Sequence, residues 1–124
     1  MKFNRPTKTG RRFPDWLNEL RNQSGVYIIR RRDDQKVLYI GESHSGRLAT
    51  TIKRHFWQWL DAPERPHFTY DPEDVEIAVI TTPPSAAREH QNRLIRKILP
   101  RDNTAAMPPE ELDRRDITPD VVPF

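Results

Sequence analysis

The sequence predicts an α/β (α+β) fold, a small and mostly antiparallel three-stranded sheet flanked by helices. A length of 124 residues fits one domain. Three short runs of β-branched and aromatic residues, each bounded by turn residues, are typical of strands. Two longer segments repeat their apolar residues at helical spacing. Hydrophobic residues make up only 35% of the chain, so the core must lie in these few segments.

The first part of the chain is predicted to form an arm, a helical turn and a hairpin. Residues 1–12 are polar and basic, lack periodicity, and are interpreted as an arm. Pro14 and Asp15 then open a short helical turn. The runs over residues 25–30 and 36–41 are separated by polar turn residues, so they are expected to pair as an antiparallel hairpin.

The second part of the chain is predicted to contain two helices around a third strand. Apolar residues recur every four positions over residues 46–60 and would face the sheet; these are Leu48, Ile52, Phe56 and Leu60. Residues 75–80 alternate as a strand. Ser85 is the expected N-cap of the second helix, and Pro100 is expected to end it.

Composition sets the domain boundaries and excludes several classes of protein. The chain divides into a basic arm over 1–12, one domain over 13–103, and an acidic tail with four prolines over 104–124. No apolar run approaches the roughly 20 residues that a bilayer requires, and no hydrophobic stretch follows the basic start. With no cysteine, disulfides and thiolate metal sites are excluded. We therefore expect a cytoplasmic, intracellular protein without membrane contact; its oligomeric state is left open.

Charge is distributed unevenly along the chain. The net charge is +3 with a pI near 9.5, yet residues 1–32 carry nine Lys and Arg against two acids. Residues 61–84 instead carry six acids against one arginine. A basic front with an acidic rim is typical of a protein that binds a polyanion on one side, and nucleic acid is the expected partner. The alternative is an ordinary basic protein with solvated charges.

A tyrosine stands on each strand of the predicted hairpin, at a characteristic spacing. The tripeptides are Gly25-Val26-Tyr27 and Tyr39-Ile40-Gly41, with eleven residues between the tyrosines. A helix with basic residues follows, and then a helix that ends at Pro100-Arg101-Asp102-Asn103. In this order the motifs resemble the GIY-YIG nuclease superfamily over about residues 24–103. The alternative is two core tyrosines in an unrelated sheet.

The resemblance implies a metal-dependent DNA endonuclease that hydrolyses phosphodiester bonds with a single divalent ion, Mg²⁺ or Mn²⁺. Tyr27 and Tyr39 would line the site, with Tyr39 activating the water. Because the pKa of a free phenol is near 10, neighbouring cations would have to lower it for this role. Gly25 and Gly41 would be structural residues beside the site, and Gly41 would let the chain turn out of the strand without blocking the pocket.

Arginine is the expected phosphate clamp, because its fork reaches two oxygens and stays charged. One stripe of the predicted first helix contains Arg47, Thr51, Arg54, His55 and Gln58. The arginine that the resemblance implies, about one turn before a histidine, falls on Thr51. We therefore favour Arg47, one turn earlier, and place Arg54 second. His55 would be a proton shuttle, a phosphate contact or simply a solvated histidine.

Two further groups of residues follow from the resemblance and from charge. Asn103 would hold loops of the site by side-chain hydrogen bonds, or it would form an ordinary Asx turn. Phosphate contacts outside the pocket are expected from basic residues, namely Lys53, Arg54, Arg96 and Arg101, with Arg5, Arg11 and Arg12 as additional candidates.

Gln91 occupies the position at which the resemblance implies a metal-binding glutamate. It lies on the inward stripe with Leu94 and Ile98, which is expected to face the sheet where the two tyrosines sit. Glu89, the fallback carboxylate, lies roughly 200° away around the helix. Gln91 is either a satisfied core residue or the remnant of a metal site, because divalent cations prefer carboxylate oxygen. Whether it is natural or engineered is left open.

Gln91 therefore leaves two principal functions open. One is a GIY-YIG-type endonuclease, in an inactivated form if position 91 must bind the metal. The other is a catalytically inactive nucleic-acid-binding module with the same fold. A third alternative is a protein-interaction domain that uses Trp57 and Trp59 as an exposed aromatic patch.

Overall fold

A computed structural model describes residues 1–56 and 70–103. Its helices and strands in chain order are α1 (Asp15–Asn18), β1 (Gly25–Arg31), β2 (Val37–Ser43), α2 (Leu48–Lys53), β3 (Val75–Thr81) and α3 (Pro84–Ile98). The strands form one sheet in the order β2-β1-β3, and both pairings are antiparallel. The predicted fold class is confirmed. The expected tail over 104–124, the two tryptophans 57 and 59, and residues 58 and 60 lie outside the described residues.

The central strand β1 is buried on both faces because helices cover both sides of the sheet. Successive side chains of a strand point to opposite faces. Tyr27 and Ile29 pack against one face with residues of α1 and α2. Val26 and Ile28 pack against the other face with residues of α3, including Ile95. The sheet therefore separates two hydrophobic clusters, and this separation determines which side chains can meet.

Helix α2 is shorter than its apolar pattern predicts. The prediction extends it over residues 46–60, whereas the α-helix ends at Lys53. The amide of His55 then donates to the carbonyl of Ile52 at 3.1 Å, and that of Phe56 to Lys53 at 2.9 Å, both tighter than α-helical bonds. The threonines and isoleucine of this segment are β-branched, which weakens helix propensity. The tighter turn directs both aromatic rings inward, where they are buried.

Both edges of the sheet are covered by short irregular segments. Asn4 exchanges two backbone hydrogen bonds with Ile77 of β3, at 2.8 and 2.7 Å, and Pro6 is buried. The predicted basic arm is thus packed against the domain over its first residues. At the opposite edge the amide of Asp102 donates to Leu38 of β2 at 2.9 Å. Covered edges do not offer free backbone groups to another chain.

The ends of α3 differ partly from the prediction. Ser85 is not the N-cap, because the helix begins at Pro84 and Pro83 precedes it. Proline fits the first turn, where its missing N–H would have no partner in the helix. Leu99 ends the helix in the left-handed conformation with φ of 55°, and Pro100 follows as predicted. None of the helices in the part of the chain that the structure describes is long and apolar enough to cross a membrane.

Candidate functional site

The three tyrosines of the chain surround one histidine. The ring of His55 lies 5.5 Å from that of Tyr27, 5.0 Å from Tyr39 and 5.7 Å from Tyr70, measured between ring centroids. We call these four residues the tyrosine–histidine cluster. Strand pairing positions the first two tyrosines, since Tyr39 lies opposite Ile29 and therefore beside Tyr27 on the same face of the sheet. The tight turn after α2 supplies the histidine.

A hydrogen bond joins the two most deeply buried members of the cluster. The hydroxyl of Tyr27 and Nε2 of His55 are 2.7 Å apart, and both residues are 1% exposed. The alternative of a solvated helix histidine is therefore wrong. Tyr39 is only half-buried. It is thus the member of the two sequence motifs that meets the solvent, while Tyr27 and His55 lie beneath it.

The two motif glycines are required by close contacts. Gly41 lies opposite Tyr27, and a Cβ built on Gly41 would lie 2.6 Å from Cε1 of the Tyr27 ring and closer still to Cζ and the hydroxyl. A Cβ on Gly25 would overlap the carbonyl of Ile80 in β3. The chain does not turn out of the strand at Gly41, because β2 continues to Ser43. The expected role of Gly41 is therefore corrected: it makes room for the tyrosine ring.

Burial controls the protonation of the motif tyrosines. Loss of solvent raises the pKa of Tyr27 well above its usual value, with further increases from Tyr39 and Glu42 and an opposing effect of Arg54. Burial and the charge of Glu42 likewise raise the pKa of Tyr39. The positive charge of Arg54 lowers the pKa of Tyr27, but burial outweighs it and the net shift is upward. Both side chains are neutral phenols at neutral pH, able to donate one hydrogen bond and accept others.

Tyr70 is a member of the cluster that the sequence did not indicate. Its amide donates to the carbonyl of His55 at 3.0 Å, and its hydroxyl donates to Asp102 at 2.7 Å. Burial and the bond to that carboxylate raise the pKa of Tyr70. Arg101, expected to contact phosphate, holds both oxygens of Asp102 at 2.9 and 3.1 Å. The segment before Tyr70 is acidic and aperiodic, and it offers no pattern from which this contact could be predicted.

The favoured phosphate clamp, Arg47, lies apart from the cluster. It is exposed at the start of α2 and lines a groove with Arg21 and Lys53. Arg54, the second choice, is exposed just after α2, and its charge acts on the hydroxyl of Tyr27. Arg54 therefore acts electrostatically on the Tyr27 end of the cluster, and Arg101 acts on Tyr70. Arg96, also expected to contact phosphate, is exposed on α3.

Two candidates in the basic front are engaged in ion pairs. Arg5 pairs with Glu73 at 2.7 Å, and Arg12 pairs with Asp15 at 2.8 Å. Arg11 is exposed. Exposed ion pairs contribute little to stability, about 0–1 kcal/mol, so these contacts do not prevent the arginines from exchanging a carboxylate for a phosphate.

Gln91 lies on the opposite side of the sheet from the motif tyrosines. Its amide nitrogen donates to the carbonyl of Ile40 at 3.2 Å. Ile40 belongs to the cluster covered by α3, whereas Tyr27 and Tyr39 point to the face covered by α2. The expectation that Gln91 faces the tyrosines is therefore wrong. The physical reason is that consecutive residues of β2 point to opposite faces.

Asn103 and Gln91 both form hydrogen bonds with the edge of β2 that is not paired with β1. The side-chain oxygen of Asn103 accepts from the amide of Ile40 at 2.8 Å, and its nitrogen donates to the carbonyl of Ile40 at 2.8 Å. Asn103 is 3% exposed. Its side chain therefore forms the expected structural hydrogen bonds, but to a strand instead of a loop, and the Asx-turn alternative is not what the structure has. The side-chain amide of Gln91 is also hydrogen-bonded to the carbonyl of Ile40, as the alternative of a satisfied polar residue predicts.

The residues expected to hold a divalent ion do not converge on one site. The nitrogen of Gln91 is engaged with the strand, and Glu89 is exposed and pairs with Arg93 at 3.3 Å. Glu42 contacts His44 at 3.1 Å. Within residues 1–56 and 70–103, no three histidine or carboxylate side chains are grouped to bind a metal. Gln91 and Glu89 therefore do not fit a magnesium site in the part of the chain that the structure describes.

The arrangement of the cluster predicts a characteristic response to alkaline pH. All three tyrosines have a raised pKa, so the folded protein binds these protons more tightly than the unfolded protein. The contribution of these bound protons to the free energy of unfolding is fully present below about pH 10. It is lost as the pH rises from there through the pKa values of the folded protein. We expect the free energy of unfolding to fall by about 1.4 kcal/mol per pH unit for each tyrosine.

Phenolate absorbance measures this prediction directly, because the chain has no tyrosine outside the cluster. We expect the absorbance of phenolate and the loss of circular dichroism to rise together during an alkaline titration. Titration of the tyrosines near pH 10 in a protein that keeps its dichroism would contradict the buried cluster.

Comparison with known proteins adds no family assignment. A scan against protein-family models finds no match to this chain, and a search of curated proteins finds no match either. The resemblance to GIY-YIG nucleases thus depends on the two tripeptides, their spacing and the residues that follow them.

Proposed function

We propose that the chain is an endonuclease domain of GIY-YIG type that binds DNA and hydrolyses phosphodiester bonds. The observation that supports this best is the hydrogen bond of 2.7 Å between Tyr27 and His55 beneath the half-buried ring of Tyr39. Burying a polar pair costs free energy unless both groups are satisfied, and a satisfied pair fixes the orientation of its neighbours. The two sequence motifs thereby present one oriented hydroxyl, that of Tyr39, at the surface.

Each member of the cluster has a distinct role in this proposal. Tyr39 contacts the DNA: as a neutral phenol it donates to a phosphate oxygen and accepts from a water molecule. Tyr27 and His55 are positioning residues, because both are buried and act through the Tyr39 ring. Arg54 supplies a permanent positive charge near the cluster, which favours the approach of a phosphate.

Dependence on Mg²⁺ or Mn²⁺ remains a separate part of the proposal. It rests on the resemblance alone, because Gln91 and Glu89 do not fit such an ion. The proposal also places the protein in the cytoplasm; a chain without cysteine does not need an oxidising compartment for disulfide formation.

A second candidate function is a DNA-binding module without catalysis. The observation that favours it is the contact of Gln91 with the carbonyl of Ile40 at 3.2 Å. A glutamine amide donates to a carbonyl, whereas an ionised carboxylate only accepts. The residue at this position is therefore suited to supporting the strand. Such a protein would keep the basic surface and lack the cleavage step.

One experiment separates the two functions. Supercoiled, branched and single-stranded DNA are incubated with the protein in the presence and absence of Mg²⁺ or Mn²⁺, and DNA affinity is measured in parallel. Nicking by the parent protein supports the endonuclease. The binding module is supported if no condition gives nicking but the protein binds DNA with a salt-dependent affinity. We expect the logarithm of the association constant to fall by about 0.9 per phosphate contact for each tenfold rise in salt concentration. Absence of binding at low salt contradicts both.

Replacement of Gln91 by Glu tests the role of this position. The variant loses the donor to the Ile40 carbonyl and places a negative charge beside it. We expect the free energy of unfolding to fall by about 1 kcal/mol, without recovery on adding Mg²⁺. Asn92→Asp is the matched control, since it makes the same change at an exposed position of α3. Recovery of stability with Mg²⁺, together with a gain in cleavage, would show that position 91 binds the metal after all.

A further inference from the structure

A cationic groove lies between α2 and the turn that follows α1. Its volume is about 490 Å³. The polar side chains that line it are those of Asn18, Arg21, Asn22, Arg47, Thr50 and Lys53. Three of these are cations, and none of the described residues lining the groove is acidic. Such a concentration of one charge, together with amide and hydroxyl groups, is suited to an anionic ligand.

The two arginines of the groove have no acidic partner in the described part of the chain. Several other arginines of that part pair with carboxylates, as Arg5 does with Glu73 at 2.7 Å. Arg21 and Arg47 are exposed, and neither forms an ion pair with any described residue. Their positive charge is therefore uncompensated at the groove. A guanidinium fork matches two oxygens of a phosphodiester.

The lysine of the groove is held in place by its neighbours. The Nζ atom of Lys53 donates to the side-chain oxygen of Asn18 at 3.1 Å and lies 4.9 Å from the centre of the Phe13 ring. A side chain that is already ordered loses less conformational entropy when a ligand binds. The groove therefore presents one preorganised ammonium group beside two guanidinium groups.

Side chains, not the start of α2, would provide the binding groups. The amide of Gly46 already donates to the hydroxyl of Ser24 at 2.9 Å, and that of Arg47 donates to the hydroxyl of Ser43 at 3.1 Å. These backbone donors are thus occupied. An anion in the groove would have to be recognised by the cations and amides of the lining.

The groove is distinct from the tyrosine–histidine cluster. Thr50 and Lys53 of α2 line the groove, whereas Leu48 and Ile52 point into the core that contains Tyr27. With 3.6 residues per turn, these pairs lie on different sides of the helix. Both sites are on the same side of the sheet, because α2 packs there.

We infer that this groove binds the sugar–phosphate backbone of DNA at a point beside the tyrosine–histidine cluster. The inference rests on the proposed DNA binding and identifies where part of that binding occurs. Uncompensated arginines, the absence of acids from the lining and a preorganised lysine all favour a polyanion. Arg21 is the diagnostic residue, because neither the sequence motifs nor the cluster requires it.

The test measures binding of a short fluorescein-labelled DNA duplex by anisotropy at several salt concentrations. We expect Arg21→Gln to weaken binding by about 3–10-fold at low salt and to reduce the logarithmic salt slope by about 0.9, the equivalent of one phosphate. Arg93→Gln is the matched control, since it removes the same charge from an exposed side chain of α3. Its effect should be smaller. Circular dichroism and thermal melting confirm that both variants fold.

The outcomes distinguish this inference from the proposed function. Equal effects of Arg21→Gln and Arg93→Gln overturn the groove while leaving the proposed function intact. Binding that depends on Arg21 in a protein that never cleaves supports the groove and contradicts hydrolysis. If the parent binds no DNA at low salt, both fail. As a second measurement, we expect the duplex to shift the NMR amide signals of Asn18, Asn22 and Gly46; shifts confined to α3 would overturn the groove.

Discussion

Replacing Tyr39 with Phe is expected to lower the rate of DNA cleavage by about 10²–10³-fold, the usual cost of removing a positioned hydrogen-bond donor to charge that develops in the transition state. Stability should change little. The hydroxyl of Tyr39 forms no hydrogen bond with another described residue, so Tyr39→Phe removes no intramolecular bond within that part of the chain. DNA affinity should also remain close to that of the parent, because the basic residues are untouched. Single-turnover cleavage, anisotropy and thermal melting measure the three quantities.

Tyr70→Phe is the matched control, since it makes the same chemical change, loss of a phenolic hydroxyl, at another tyrosine of the cluster. Here the hydrogen bond to the charged Asp102 is lost, and its buried Oδ2 atom keeps only the contact with Arg101 at 3.1 Å. We expect the free energy of unfolding to fall by about 1–3 kcal/mol. Cleavage by Tyr39→Phe at the parent rate would show that this hydroxyl takes no part in the reaction, and the proposed role of the cluster would be abandoned.

Gly41→Ala is expected to destabilise the fold strongly. The new Cβ would lie 2.6 Å from Cε1 of the buried Tyr27 ring, and even closer to Cζ and the hydroxyl. Neither partner moves easily, because the two residues are paired across β1 and β2 and the ring is hydrogen-bonded to His55. Overpacking of this kind costs about 1–3 kcal/mol and occasionally more. Chemical denaturation of the variant measures the loss.

A double-mutant cycle identifies the cause of this loss. In a Tyr27→Leu background the ring is absent, so adding the methyl group at Gly41 should cost less, with a coupling of about 0.5–3 kcal/mol. Gly10→Ala shows what backbone strain costs without a clash: its φ is +64°, a conformation that alanine rarely adopts, and a Cβ there meets nothing within 4 Å. Equal costs of Gly41→Ala in both backgrounds would be incompatible with the observed packing of the tyrosine ring.

Local patterns in the sequence predict most of the secondary structure. Runs of β-branched and aromatic residues predict all three strands, because such side chains pack well on a pleated sheet. Pro100 marked the end of α3, since proline cannot continue a helix. The end of α2 could not be predicted in this way. Its apolar spacing continues past Lys53, but the tight turn there depends on packing against the sheet.

The candidate site was only partly predictable for the same reason. Tyr27 and Tyr39 were found because a short hairpin brings its two strands together whatever surrounds it. The sequence indicates His55 as a candidate site residue, but it does not predict that His55 is buried, because the turn that directs the ring inward depends on tertiary packing. Tyr70 was missed. Its contacts with His55 and Asp102 join segments that are distant in the chain and share no periodic pattern.

The sequence by itself determined the antiparallel sheet, the pairing of the two motif strands and the presence of a glutamine at position 91. Only the tertiary structure decided which face of the sheet each helix covers. Side chains of neighbouring strand residues point in opposite directions, so Tyr39 and Ile40 belong to different faces. Helix α3 follows β3 and packs on the Ile40 face, and Gln91 therefore supports the edge of β2 from across the sheet. That side is set by the path of the chain after β3, which no local spacing of residues encodes.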